Sequence, residues 1–255
     1  MRFASLGSGS GGNALVVEAG ETRLLLDCGF GLQETGRRLA RLGLEAGMLA
    51  GILVTHEHSD HADGAFKFAR RHGLPLWLTH GTLNALSSRL AVPDVVHVID
   101  SHAILSIGDL EVEPYPVPHD AREPVQYVFG DGSRRLGVLT DVGCLTPHIV
   151  ATLENCDALV VECNHDPEML RTGPYPYPLK QRVAGKFGHL SNEEAASLVG
   201  KVCHAKLQHV VAAHISQHNN TPGLAVKALS GALGCGEEWI GVADQDVGLD
   251  WRQVA

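Results

Sequence analysis

The stretch "VTHEHSDH", Val54 to His61, decides how this chain is read. It follows directly on the apolar "GIL", so a strand buried on both faces delivers His56 to a sheet edge, where loops carry function. His56 and His58 stand two apart, which in extended backbone turns both rings to one side. Asp60 and His61 then fall at the start of a helix. Four imidazole and carboxylate donors can thus fan around a small volume, a set that suits zinc and also manganese or iron. The H-E-x-x-H pattern of the zincins is excluded, because Asp60 occupies the place of its second histidine. A solvated histidine is the ordinary account of any one of the 15 in the chain. It does not account for H-x-H-x-D-H directly behind a buried strand.

Outward from this stretch the chain alternates short apolar runs with helical patterns. "RFASLG", "ALVVE" and "TRLLLD" read as strands between glycine turns, and a helix is expected from Leu32 to Leu42. A second helix is expected from about Asp60 to His72, with Ala62, Ala65, Phe66 and Ala69 on one face. The strand "LPLWLT", a helix from Gly81 to Leu90 and the strands "DVVHVID" and "HAILSI" complete the first half. The second half repeats this grammar with "LEVEPYPVP", "VQYVFG", "RRLGVLTD", a helix near Pro147 to Asn155 and a second "ALVVE". Next comes a proline-rich surface excursion, Leu170 to Gly188, expected to carry one helix. A helix from Asn192 to Val202, the strand "HVVAAHI" and a helix capped by Thr221 with Pro222 at its first position follow. Two strand-rich halves, each clad by helices, predict an α/β protein, a four-layer αββα sandwich forming one domain over residues 1–255.

Composition narrows the function. No run approaches a membrane span, and the start lacks the apolar core of a signal peptide, so a cytoplasmic protein is expected. The six cysteines form no C-x-x-C pair, which argues for reduced thiols rather than a zinc knuckle or redox motif. A net charge of −9 gives a polyanionic substrate no general attraction, so such a substrate would need a local basic patch or bound cations.

The H-x-H-x-D-H pattern closely resembles the signature of the metallo-β-lactamase superfamily, whose members are αββα sandwiches with two mixed sheets and metals at the sheet edge. The resemblance runs along the chain: "LLLDCG" supplies Asp27 behind the ligands, "VPHDA" His119, "LTDVG" Asp141 and "AAHIS" His214. It implies two divalent ions, Zn2+ or Mn2+. His56, His58 and His119 would hold one, Asp60, His61 and His214 the other, with Asp141 bridging. It also implies hydroxide drawn from water as the nucleophile, with no protein nucleophile.

That fold hosts many reactions, so other residues must choose among them. A phosphodiester has a poor alkoxide leaving group and gains from a general acid and from cationic contacts to flanking phosphates. "VVECNHD" offers Glu162 and His165, and "GHLSNEE" offers His189 just before a helix that Ser191 and Glu194 can open as a capping box. These loops resemble those of the tRNA-processing ribonuclease branch, which implies His189 as proton donor and Glu162 as the residue orienting it. With Asp60 they make the expected catalytic set, and His165 joins Asp27 as a supporting residue. Arg171, Lys180, Arg182 and Lys186, with Tyr175 and Tyr177 among them, form a stretch without acidic residues. Lys180, Arg182 and Lys186 are its candidate nucleic-acid contacts. Ser8, Ser10 and Asn13 of the glycine-rich "GSGSGGN" are candidate phosphate contacts, although the run is not a Walker A.

The ordered set "GSGSGGN", "THEHSDH", "ECNHD", "GHLSN" and "AHISQHNNTP" is most similar to the WalJ/YycJ-type branch of the superfamily. This implies a DNA exonuclease of 5′-to-3′ polarity. The chain has no room for the extra domain of the β-CASP ribonucleases and shows no long arm of the tRNA-processing kind. A small-molecule metallohydrolase acting on a lactone or thioester would share every ligand but give His189 no role. A non-catalytic, metal-stabilised binding module would have lost ligands, and none is missing.

Overall fold

Side chains of successive residues in the central strands enter different cores. In β11 (Ala158–Glu162), Ala158 and Val160 pack into the layer between two sheets, while Leu159 and Val161 pack outward under helices. That two-residue period, with both faces apolar, is what a sheet covered on both sides demands. A computed structural model describes residues 1–88 and 94–255.

The first sheet runs in the order β14 (Leu249–Gln253), β1 (Arg2–Gly7), β2 (Ala14–Ala19), β3 (Thr22–Leu26), β4 (Gly51–Leu53), β5 (Leu76–Thr79), β6 (Val96–Ile99). The second runs β13 (Ile240–Val242), β12 (His209–Ala213), β11, β10 (Arg135–Leu139), β9 (Val125–Gly130), β8 (Leu110–Pro116), β7 (Leu105–Ile107). Both are mixed. Strands β3 to β6 and β10 to β13 pair in parallel, and the remaining neighbours are antiparallel. Leu39 of α1 (Leu32–Arg41), Phe66 of α3 (Ala65–His72) and Leu86 of α4 (His80–Ser87) pack on the outer face of the first sheet. Ile149 of α5 (Pro147–Leu153), Leu198 of α8 (Asn192–Val202) and Leu229 of α9 (Pro222–Leu233) cover the second. This is the expected four-layer sandwich. All six cysteines are free, and among the described residues no helix is long and apolar enough to cross a membrane.

Three local expectations differ from the structure. The helix expected from Asp60 to His72 is two pieces, α2 (Ser59–Ala62) and α3. The carbonyl of Asp60 accepts the amide of Asn13 at 2.7 Å, and the amide of Gly64, which would otherwise reach it, donates to Cys28 at 2.9 Å. A side chain at Gly64 would run into the Phe30 carbonyl, so glycine is what permits this close approach. The proline-rich excursion carries two helices rather than one, α6 (Pro167–Thr172) and α7 (Tyr177–Val183). Pro167, Pro176 and Pro178 lie at the helix starts, where the missing donor costs nothing. Finally, β13 and β14 were not expected; β14 is a short, largely exposed edge strand that returns to pair with β1. The expected helix end at Leu90 lies outside the described residues.

One hydrogen bond ties the two sheets together beneath the histidine-rich stretch. The hydroxyl of Tyr127, fully buried between the sheets, donates to the carbonyl of Val54 at 3.1 Å. Tyr127→Phe leaves that carbonyl without its donor, so a loss of about 1–3 kcal/mol is expected. Urea unfolding of the two proteins checks it.

Candidate metal centre

Parallel strands present their carboxyl ends on one edge, and that edge gathers the predicted residues. Asp27 follows β3, Asp141 and His214 follow β10 and β12, and Glu162 ends β11. His56 lies three residues past β4 and His119 three past β8. Asp27, Asp141 and His214 have φ of 60°, 56° and 51°. Left-handed backbone is strained for such residues and collects at functional sites. Among the described non-glycine residues Asn155 alone shares that conformation elsewhere in the chain.

Three clusters of donor atoms result, each with its atoms within 4.8 Å of one another: His56, His58 and His119; Asp60, His61, Asp141 and His214; and Asp141, Glu162, His189 and His214. In the first, His119 donates from Nδ1 to the Gly188 carbonyl at 3.0 Å, which leaves its Nε2 facing Nδ1 of His58 at 3.3 Å. In the second, His61 donates from Nδ1 to Asp27 Oδ2 at 2.7 Å, and its Nε2 lies 2.9 Å from Asp141 and 3.3 Å from Asp60. Thr55 completes the support with its amide and hydroxyl on Asp27 Oδ1. His214 is turned so that Nδ1 meets Glu162 at 3.1 Å and Nε2 meets Asp60 at 3.2 Å.

The donor set fits a pair of divalent cations. His56 Nε2 is buried without a hydrogen-bond partner, which native interiors avoid unless something else binds there, and Asp141 Oδ2 faces only the Nε2 of His61, at 2.9 Å. Burial leaves His56 and His119 below the usual imidazole value, hence neutral, the form that coordinates. In the other half burial opposes charge and loses. His61 and His214 hold Asp60 and Asp141 below the usual carboxylate range. Asp141, Asp27 and Asp60 raise His61, and Asp141, Asp60 and Glu162 raise His214 to about 10. An excess of buried negative charge is what a cation neutralises.

Glu162 is fully buried and saturated. It accepts His189 Nδ1 at 2.7 Å, His214 Nδ1 at 3.1 Å and the amides of Val142 and Leu190 at 3.0 and 3.1 Å. Burial works against its charge, but His189 and His214 hold its pKa at about 2. His189 is raised in turn, burial being outweighed by Glu162. Its ring lines a cavity of about 310 Å³ shared with Asp60, Asp141 and Arg182.

The remaining predicted residues divide. Asp27 stands behind His61 as described, and Ser10 and Arg182 line the cavity. Ser8 and Asn13 are buried rather than open to a phosphate. Ser8 accepts the His214 amide at 2.9 Å and donates to Asn13, whose amide group reaches Asp60 Oδ2 at 3.2 Å. Their polar atoms brace the site. Lys180 caps the Arg171 carbonyl and lines a different cavity, Lys186 is exposed away from the cavities described, and His165 is in none of the three clusters. Two residues went unpredicted. Asp120 approaches His119 at 3.5 Å and holds Arg182 at 2.6 Å; its signal was adjacency to His119. Asn164 donates to the His214 carbonyl at 3.2 Å, a contact 50 residues apart with no local signal.

A family model described as "Beta-lactamase superfamily domain" matches residues 22–215. The chain belongs to the metallo-β-lactamase superfamily. Among its superfamily relatives, the exodeoxyribonuclease YycJ of Bacillus anthracis is 37% identical over 235 residues, 91% of this chain and 89% of that one. The exodeoxyribonuclease WalJ of Streptococcus pneumoniae serotype 2 is 32% identical over 255 residues, 98% of this chain and 92% of that one. The crystal structure of the metallo-β-lactamase fold protein YhfI from Bacillus subtilis covers 98% of both chains with a TM-score of 0.76 at 17% identity, which speaks to the fold.

Because Asp27 fixes the tautomer and aim of His61, Asp27→Asn is expected to lower affinity for the cation beside His61 about 10- to 100-fold. Titration of manganese or zinc against a competing chelator measures this directly.

Proposed function

We propose that this superfamily member is a metal-dependent nuclease, a DNA exonuclease with the 5′-to-3′ polarity its motif resemblance implies. The observation that carries the reading is the His189–Glu162 pair at 2.7 Å beside the metal-type clusters. Cleaving a phosphodiester requires a proton for the departing alkoxide. Glu162 engages Nδ1 of His189, so Nε2 is the nitrogen left to serve the cavity, and Glu162 raises the pKa of the ring, which favours the form that can donate. A lactone or thioester hydrolase would not call for such a pair. The names of the YycJ and WalJ relatives support DNA as the substrate.

On this reading His56, His58 and His119 hold one cation, and Asp60, His61 and His214 the other, with Asp141 between them. Zn2+ and Mn2+ both suit the donors. When bound, such ions supply Lewis acidity and ionise water near neutral pH. The protein does the rest. Glu162 aims His189 and His214 together, Asn13 and Ser8 brace Asp60 and His214, and Arg182, steadied by Asp120, presents its exposed guanidinium to a phosphate.

His189→Ala is expected to reduce kcat on DNA by about 10²- to 10⁴-fold, with bound metal unchanged and partial rescue by added imidazole. Digestion of 5′- and 3′-labelled single- and double-stranded DNA and RNA tests this together with polarity. Full rate in the variant on every strand cut would remove His189 as donor, and loss of metal would instead make it a ligand of the third cluster.

A further inference from the structure

Helix α7 is a wall with a cavity on each side. Leu179, Arg182 and Val183 line the metal-centre cavity, while Tyr177, Lys180 and Ala184 line a second one of about 390 Å³. The chain beyond β11 is divided in the same way, since Asn164 lines the first cavity and its neighbour His165 the second. Consecutive Cα atoms are about 3.8 Å apart. The two cavities therefore lie on opposite sides of the same short stretch of chain.

The second cavity combines three chemistries. Pro167 and Leu170 of α6 and Ala184 give it apolar walls. Tyr177 stands at it with 71% of its surface exposed, beside Arg171 and Lys180. His165 lines it while only 3% exposed, and its buried Nδ1 has no hydrogen-bond partner. A buried imidazole nitrogen left unpaired is destabilising and calls for a reason. An apolar peptide would use the walls and leave the imidazole nitrogen unpaired; Arg171 already pairs with Glu168 at 2.6 Å and Lys180 donates to the Arg171 carbonyl at 2.8 Å, so their charge is a supplement to that nitrogen. A nucleotide uses all three: its base faces pack on apolar and aromatic surface, its edge hydrogen-bonds, and its phosphate meets cations.

We propose that this second cavity holds one base of the nucleic-acid strand, flanking the nucleotide whose phosphate is cleaved. The proposal rests on the nuclease reading above. The strand crosses α7 with its reacting phosphate on the Arg182 side and the neighbouring base on the Tyr177 side.

The test is fluorescence-anisotropy binding of metal-loaded protein to a cleavage-resistant phosphorothioate DNA strand. The strand is used intact and with a single abasic site at each nucleotide flanking the cleaved bond in turn. In the wild type one abasic position is expected to weaken binding about tenfold, the effect of losing a stacked base. In Tyr177→Ala the same abasic site should change binding by less than about twofold, because ring and base are coupled. His165→Ala is expected to lose the same coupling, and the exposed Tyr177 site serves if that buried change unsettles folding. Equal abasic penalties in wild type and Tyr177→Ala at every position would overturn the proposal. Cleavage of the unmodified strand by the same wild-type protein separates the two ideas. Cleavage without coupling sinks the base pocket alone, and coupling without cleavage leaves a base-binding pocket but overturns both the nuclease reading and the pocket's place beside a cleaved phosphate.

Discussion

Two buried carboxylates, Asp27 and Glu162, stand behind the histidines of this sheet edge, and the site depends on them. Asp27 takes Nδ1 of His61, and Glu162 takes Nδ1 of both His214 and His189. Each contact fixes a tautomer and points the opposite nitrogen inward. A carboxylate buried to this degree survives as an anion only when its hydrogen-bonding capacity is met. The amides of Val142 and Leu190 meet it for Glu162, while Thr55 and His61 hydrogen-bond Asp27 without fully offsetting its burial, which still pushes its pKa up. The two sheets contribute one such carboxylate each, so the metal-type clusters exist only when the sandwich is closed.

This arrangement reconciles an acidic protein with a polyanionic substrate. The chain carries a net charge of −9, and buried acids add to the negative potential at the site. Divalent cations would reverse that sign where a phosphate must sit. Exposed basic groups are then needed only at the margin, where Arg182 lines the cavity mouth and Arg171 and Lys180 line the neighbouring pocket.

What the sequence made legible follows from what is local. His56, His58, Asp60 and His61 lie within six residues behind an apolar strand, and the unbroken apolar runs of β11 and β12 are read from consecutive letters. Distant acids and histidines were placed by family resemblance, and the structure brings them to the same edge. What escaped depends on long-range contacts. The break at Gly64 arises because Asn13 and Cys28 take the hydrogen bonds that would have continued the helix. Ser8 and Asn13 looked available to a phosphate, yet their polar atoms turn inward to His214 and Asp60, partners up to 206 residues away. The second role of Glu162, behind His214 as well as His189, spans 52 residues and leaves no pattern in the chain.

Anomalous diffraction from crystals equilibrated with manganese probes the centre most directly. The expected result is two peaks per chain about 3.5–4 Å apart, one ringed by His56, His58 and His119 and the other by Asp60, His61 and His214, with Asp141 reaching both. A single peak, or peaks elsewhere with these side chains turned from one another, would contradict it.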